Sequence, residues 1–571
     1  MPLEADGPVR RDGPARLLLG PQLRYAGETD ATVWVETTRA CEIDVLGRRE
    51  RTFEVAGHHY AIVCLHDLEP GCELPYEVHL DGTRVWPEPD SPFPPSLIRT
   101  VGDGPLQLAF GSCRVSLPHD PPFALTKDRD ERGREVDALY ALVPRMRRRA
   151  PAAWPDTLLL LGDQVYADEV SPDVRARIAR RRRLDEGVGP EVADFEEYTW
   201  LYHESFGDPA IRWLLSTVPS AMIFDDHDVH DDWNTSAAWM RDIRAEPWWE
   251  ERILGAYATY WIYQHLGNLS PAELAQDGLL AQVRVADGDA APLVKAFARK
   301  AHEEVAGTRW SYRRDLGRTR LLVLDSRAGR VLDERQRQML SDREWAWVTE
   351  EATGDFDHLL IATSLPVLLS SGLHHLEAWS EAVCGGAWGD RAALLAERLR
   401  QALDLEHWAA FGGCFEHMAR LLREVGSGQR GPAPASIVIL SGDVHHAYLA
   451  EAGFPRDAGV TSSVVQAVCS PVRNPLNSRE RRALRSALSK PAELVGRVLA
   501  RAAGVRKPSL GWRFPEDPTF DNQVATLLIA GREARLLVEK TRPEDWADPM
   551  LHVTLDRVIA GPADGRVARL A

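Results

Sequence analysis

A chain of 571 residues is too long for one simple core, and 44% hydrophobic with 27% charged content describes a soluble globular protein of two or more units. No apolar run approaches the roughly 20 residues that span a bilayer, and a formal net charge of −17 argues against a stable nucleic-acid partner, since such binding needs clustered cations. Seven cysteines without C-x-x-C spacing give neither a disulfide framework nor a zinc ribbon, and no secretory segment follows Met1, so a reducing, cytoplasmic location is expected.

Residues 1–14 read as a flexible tail. Residues 15–100 read as all-β: the run Ala31-Thr-Val-Trp-Val-Glu-Thr37 alternates, and turn signals recur about every ten residues, as in a small immunoglobulin-like sandwich. A proline-rich stretch, 86–95, links it to the next unit. From 103 to 571 the pattern is that of a large α/β unit. A strand at 106–110 ends in Gly111-Ser112-Cys113-Arg114, a helix covers 136–149, and a strand at 157–161 ends in Gly162-Asp163-Gln164-Val165-Tyr166. That β-α-β order implies a parallel pair. Further strands end in Asp225 to His230, in Asp325-Ser326-Arg327, in Thr363-Ser364 and in Gly442-Asp443-Val444-His445-His446. A capping box, Ser341 to Glu344, opens a helix. Helical insertions are expected at about 172–215, 236–305, 376–425 and 478–505, and strand pairs around 523–540 and 550–559 close the chain.

In open α/β sheets ligands bind at the carboxyl ends of the strands. Six strand ends here deliver Cys113, Asp163 with Tyr166, Asp225 to His230, Asp325, Ser364, and Asp443 with His445. Thiolate, phenolate, carboxylate and imidazole converging on a rigid frame are the donors a metal cluster needs. Cys and Tyr beside carboxylates suit ferric iron, while Asp-rich surroundings with few histidines suit calcium, magnesium or manganese.

The succession GSCR, GDQVYADE, DDHDVHDDWN, LDSR, SLP and SGDVHH resembles the alkaline phosphatase D (PhoD-like) family of metallophosphoesterases over about residues 103–560, and the preceding β-domain resembles that family's N-terminal module. The resemblance implies a four-layer α/β/β/α sandwich and a multinuclear centre of ferric iron and calcium, with manganese, magnesium or zinc as other occupants. It implies metal ligands at Cys113, Asp163, Tyr166, Asp226, Asp443 and His445, with Asp163 as the bridging carboxylate. His227 falls where the wider superfamily has a histidine facing the substrate, and Arg114 and Arg327 are then candidate phosphate clamps. The implied activity is phosphomonoester or phosphodiester hydrolysis: a metal-activated hydroxide attacks phosphorus in line and His227 protonates the leaving alkoxide. The family is largely exported by a twin-arginine signal, which is not seen here, and the histidine many relatives carry near Ala362-Thr363-Ser364 is missing.

Other readings stay open. His230 and His446 fit supporting roles as well as direct ones, His374 and His375 read as loop residues, and Asp325 with Arg327 fits a structural ion pair equally well. G-x-S-x-G, G-x-x-x-x-G-K-[ST] and H-E-x-x-H are absent, which disfavours a serine hydrolase, a P-loop nucleotidase and a zinc peptidase. A catalytically silent phosphate- or lipid-binding protein is the competing class. The segment 473–507 carries ten Lys/Arg against Glu480 and Glu493, and reads either as solvated helix faces or as a basic surface for a membrane or an anionic substrate, a phospholipid or nucleotide among them.

Overall fold

The computed structural model describes residues 13–305 and 307–561; the tail expected at 1–14 lies outside them but for its last two residues. Two four-stranded antiparallel sheets begin the chain. Leu17–Ala26, Ala31–Thr37, His58–Leu65 and Phe53–Val55 form one, and Arg48–Arg51, Glu42–Val45, Val78–Leu80 and Thr83–Trp86 the other. Val33, Val35, Ile43, Val63 and Val78 meet between them. Alternation sends Trp34 of the same strand to the opposite face, into the core of the larger unit. Ala31–Thr37 is therefore buried along its whole length.

Polar groups stitch the two parts together. Arg24 is buried and donates to the carbonyls of Tyr263, Gln264 (2.9 Å) and Ser220 (3.3 Å). Glu36, fully buried, takes His58 Nδ1 at 3.0 Å, His203 Nε2 at 2.8 Å and the Tyr263 hydroxyl at 2.9 Å. The other nitrogen of His58 meets Glu196 at 2.9 Å.

The larger unit holds two more sheets. One runs Ser220–Ile223, Thr157–Leu161, Leu106–Gly111, Gln523–Ala530, Glu533–Lys540, His552–Ala560, with its first three strands parallel. The other runs Tyr312–Leu316, Thr319–Leu324, His358–Thr363, Ser436–Ser441, Ser463–Val468, Tyr448–Gly453, Gly511–Arg513, its second to fifth strands parallel. Parallel strands covered on both faces read as unbroken apolar runs, and the parity of each residue decides its layer. Leu360, Ala362, Val438 and Leu440 face the first sheet, while Leu359, Ile361, Ile437 and Ile439 face outward onto Trp345, Trp408 and Met418. Helices cover both outer faces, giving the expected α/β/β/α sandwich behind a small all-β region. Ser463–Val468 is a central strand that the sequence reading did not single out; Ser463 and Gln466 interrupt its apolar run.

The capping box at Ser341 is only half formed. Ser341 Oγ accepts the Glu344 amide at 3.3 Å, but the Glu344 carboxylate turns instead to the hydroxyl of Ser311, which accepts the Asp325 amide at 2.8 Å. The insertion expected from 376 starts earlier, as Ser371–Cys384, so His374 and His375 lie in a helix. His374 is buried edge-on against Phe415 (4.7 Å) and Trp512 (4.8 Å) and is a packing residue.

Candidate metal centre

Four of the six predicted ligands sit where the backbone itself is strained. Cys113, Asp163, Asp443 and His445 have φ of 58°, 53°, 66° and 52°, in the left-handed region that costs a non-glycine residue about 1–3 kcal/mol. Each turns the chain sharply at a strand end. Gly162 (φ 103°) makes this approach feasible, because a Cβ there would collide with Cβ of Asp225. The Asp443 amide donates to Ser112 Oγ at 3.0 Å and joins the ends of the two sheets.

Asp163, Asp225 and Asp226 bring carboxylate oxygens within 4.8 Å of one another, all buried. Asp163 Oδ1 and Asp225 Oδ2 have no hydrogen-bond partner, and Asp226 Oδ1 has only the Arg327 guanidinium, at 3.1 Å. Burial, with neighbouring carboxylates adding to it, pushes Asp163 and Asp225 well above the usual carboxylate range and Asp226 to about 6. Three buried carboxylates that share a single guanidinium, Arg327 on Asp225 and Asp226, keep a surplus of negative charge that a hard cation removes, so the donor set fits a metal. Asp225 belongs to this set, although the family pattern pointed to Asp226 alone.

A thiol and a phenol also lie within electrostatic reach of Asp163. Cys113 is buried, its Sγ 3.2 Å from the hydroxyls of both Ser112 and Ser470. Tyr166 is buried and accepts from Asn474 Nδ2 at 3.3 Å. Burial first and the Asp163 carboxylate second raise both groups well above their ordinary values. A highly charged cation reverses that direction by stabilising thiolate and phenolate. Burial lowers His445 to about 3, leaving the neutral imidazole that ligates metals.

His227 lies beside this group, its ring 4.7 Å from that of Tyr166. Its Nδ1 is 2.9 Å from Asp168, which also accepts the Asp231 amide at 2.6 Å. Burial alone would lower the imidazole; the Asp168 carboxylate outweighs it and raises it well above 6.5. Asp228 Oδ2 accepts the backbone amides of both Asp163 and Asp225, each at 2.9 Å, fastening two strand ends with one oxygen.

The two arginines expected to clamp phosphate have other partners. Arg114 is buried, with Nε on Asp137 at 2.8 Å and Nη1 on the Ser205 carbonyl at 2.7 Å, and so braces the N-terminus of helix Ala138–Arg147. Arg327 is fully buried among four carboxylates: Asp225 and Glu406 in direct contact, Asp226 at 3.1 Å and Asp443 at 3.7 Å. Its Nε and Nη1 are taken by Asp225 and Glu406, and Nη2 faces Asp226 and Asp443, so its charge is set against protein carboxylates. Nor do Asp325 and Arg327 pair through side chains. Asp325 caps its own loop, accepting the amides of Arg327 (2.9 Å), Ala328 (2.8 Å) and Gly329 (2.9 Å). Ser364 bonds Ser326 at 2.8 Å. His446 bonds the Val444 carbonyl at 2.6 Å and stacks on Tyr448 and Phe520. His230 meets the Asp231 carbonyl at 2.8 Å.

The sequence reading missed the contribution of the insertion after Ser371. His407 Nε2 is 3.1 Å from Asp443 Oδ2, and its Nδ1 is 2.6 Å from Glu377. Glu406 also takes Arg330 at 3.0 Å. Both lie between a helix and a short 3₁₀ turn, Trp408–Ala410, away from any strand end that would have marked them.

The sequence pattern of the PhoD-like phosphatases matches residues 135–495, and that described as Domain of unknown function (DUF7800) matches 14–98. No curated protein sequence matches the chain. Among solved structures, PhoD aligns over 96% of this chain and 93% of its own, at 12% identity and a TM-score of 0.57. Purple acid phosphatase PPD1 from seeds of yellow lupin (Lupinus luteus) aligns over 95% and 74%, at 11% identity and a TM-score of 0.45. The likeness to PhoD bears on the fold alone.

Proposed function

Since the chain belongs to the PhoD-like phosphatase family and is a phosphoric ester hydrolase, we propose that Cys113, Asp163, Tyr166, Asp225, Asp226, Asp443 and His445 hold its metal ions. Bound cations supply Lewis acidity toward the phosphoryl oxygens. Cys113 and Tyr166 favour ferric iron beside Asp163, and the oxygen-rich side around Asp225 and Asp226 favours calcium, with manganese, magnesium or zinc as substitutes. Arg327 contributes a fixed positive charge to the cluster and limits how many cations its carboxylates call for.

His227 acts as the general acid. Asp168 fixes Nδ1, which leaves Nε2 to protonate the departing alkoxide. Phosphodiesters, phospholipids included, are the substrate class we favour over monoesters. The observation that carries this reading is the buried carboxylate cluster of Asp163, Asp225 and Asp226, with open oxygens on Asp163 and Asp225, beside an oriented His227.

The test is turnover of p-nitrophenyl phosphate and bis-p-nitrophenyl phosphate alongside metal content. Hydrolysis abolished by a chelator and restored by metal supports the reading. A metal-loaded protein inert toward both esters overturns it.

A further inference from the structure

The segment 473–507 forms two helices, Ser478–Ala487 and Lys490–Ala502. The second is built inside out. It buries its small residues, Gly496 and Ala500, against helix Ser371–Cys384; Gly496 is so close that a Cβ there would lie 2.8 Å from the Gly372 carbonyl. Its large aliphatic residues point the other way: Leu494, Val495 and Val498 are 61%, 59% and 57% exposed. A surface helix ordinarily turns such residues to the core. Leu394 and Leu395 of helix Asp390–Ala402 are exposed as well, and the Trp388 indole before that helix donates to the Ala502 carbonyl at 3.2 Å.

This apolar surface is flanked by cations in a chain that is otherwise acidic. Arg482, Arg485 and Lys490 are exposed, and across 473–507 the basic residues outnumber the acidic ten to two. The segment also begins beside the metal centre, at a buried residue. Asn474 contacts the Tyr166 hydroxyl at 3.3 Å, and Arg485 lies over the ring of Phe520, which stacks on His446. Behind the outer helix, Ser371–Cys384 carries Glu377, which holds His407 against Asp443.

We infer that helices Ser478–Ala487 and Lys490–Ala502 dock the protein on an anionic phospholipid surface. Leu494, Val495 and Val498 enter the headgroup boundary, and the cations meet lipid phosphates. Exposed aliphatic residues beside positive charge fit that occupant better than a second copy of the chain, because a two-fold pairing of this face sets its own cations against one another. The docking rests on the hydrolase reading only in its purpose, which is to bring lipid phosphodiesters to the metal centre beside which the segment begins.

The experiment is co-flotation of the full chain with phosphatidylcholine vesicles, with and without phosphatidylglycerol, while turnover of soluble bis-p-nitrophenyl phosphate is followed in parallel. Two double variants are compared, Leu494→Glu/Val498→Glu and Arg482→Glu/Lys490→Glu; all four positions are exposed. The expected result is flotation only with phosphatidylglycerol, weakened by salt and reduced at least about fivefold in each variant, since one brings two carboxylates to the anionic surface and the other reverses two basic contacts. Turnover of the soluble ester stays unchanged. Absence of flotation, or flotation equal in wild type and variants, overturns the inference. So does a concentration-dependent dimer that the Leu494→Glu/Val498→Glu variant abolishes, which assigns the surface to a second copy. Soluble turnover without flotation refutes docking and leaves the hydrolase reading intact; flotation without turnover of bis-p-nitrophenyl phosphate refutes the phosphodiesterase reading alone.

Discussion

Asp168 grips His227 through both carboxylate oxygens, at 3.0 and 2.9 Å from Nδ1. This contact fixes which nitrogen faces the site, and it makes the role of His227 testable by leaving group. A p-nitrophenolate leaves without a proton, whereas an alkoxide needs one. His227→Gln is expected to slow hydrolysis of an alkyl phosphoester by about 10²–10⁴-fold, the usual contribution of general acid catalysis, and that of a p-nitrophenyl ester far less. Asp168→Asn should reproduce the same selectivity in milder form. Equal losses on both esters would assign His227 to metal or substrate binding instead.

A second prediction concerns Asp228, which no family motif marks as a ligand. Its Oδ2 serves the amides of Asp163 and Asp225, and Gln264 Nε2 holds Oδ1 at 3.2 Å. Asp228→Ala strands two buried donors and should lower stability by about 2–4 kcal/mol, with a parallel loss of metal affinity as the strand ends loosen. Asp228→Asn keeps an acceptor and should recover most of both. Denaturant unfolding together with metal titration measures the pair, and an alanine variant equal to wild type would show that the strand ends hold themselves.

The contact between the β-region and the larger unit depends on pH. Both nitrogens of His58 meet carboxylates, Glu36 at 3.0 Å and Glu196 at 2.9 Å, so the ring is doubly protonated. Burial alone would lower His58, but Glu196 and Glu36 outweigh it and raise it to about 9. Burial would likewise raise Glu36, which His203 and His58 instead hold at about 2. The folded-state value of His58 lies above its unfolded one, so its stabilisation is complete below about 6.5 and fades as pH rises through about 9. His58→Gln should cost on the order of 2 kcal/mol near pH 6 and close to nothing near pH 10. Melting curves of the two proteins across that range decide it; a pH-independent difference would mean that His58 acts by packing.

The strand ends were legible because a buried parallel strand writes itself as an apolar run, and a ligand at its end interrupts that run at once. Thr157–Leu161 followed by Gly162-Asp163 is such a case. Ser463–Val468 was not legible, since Ser463 and Gln466 break the run; Gln466 is buried to bond the amides of Val367 and Leu368, each at 2.8 Å. Arg114 and Arg327 misled for a related reason. An arginine beside a ligand reads as a phosphate clamp, and only the fold reveals that Asp137 or a ring of four carboxylates already claims it. Asp168 and His407 were out of reach because their partners, His227 and Asp443, lie 59 and 36 positions away and carry no local signal of the pairing.

The most direct test of the metal centre is an anomalous-scattering measurement on crystals of the protein supplied with iron and calcium. The account predicts an iron peak flanked by Cys113 Sγ, Tyr166 Oη and Asp163, with a second cation on the side of Asp225 and Asp226. Strand ends free of metal, or a metal bound without either Cys113 or Tyr166, would contradict it.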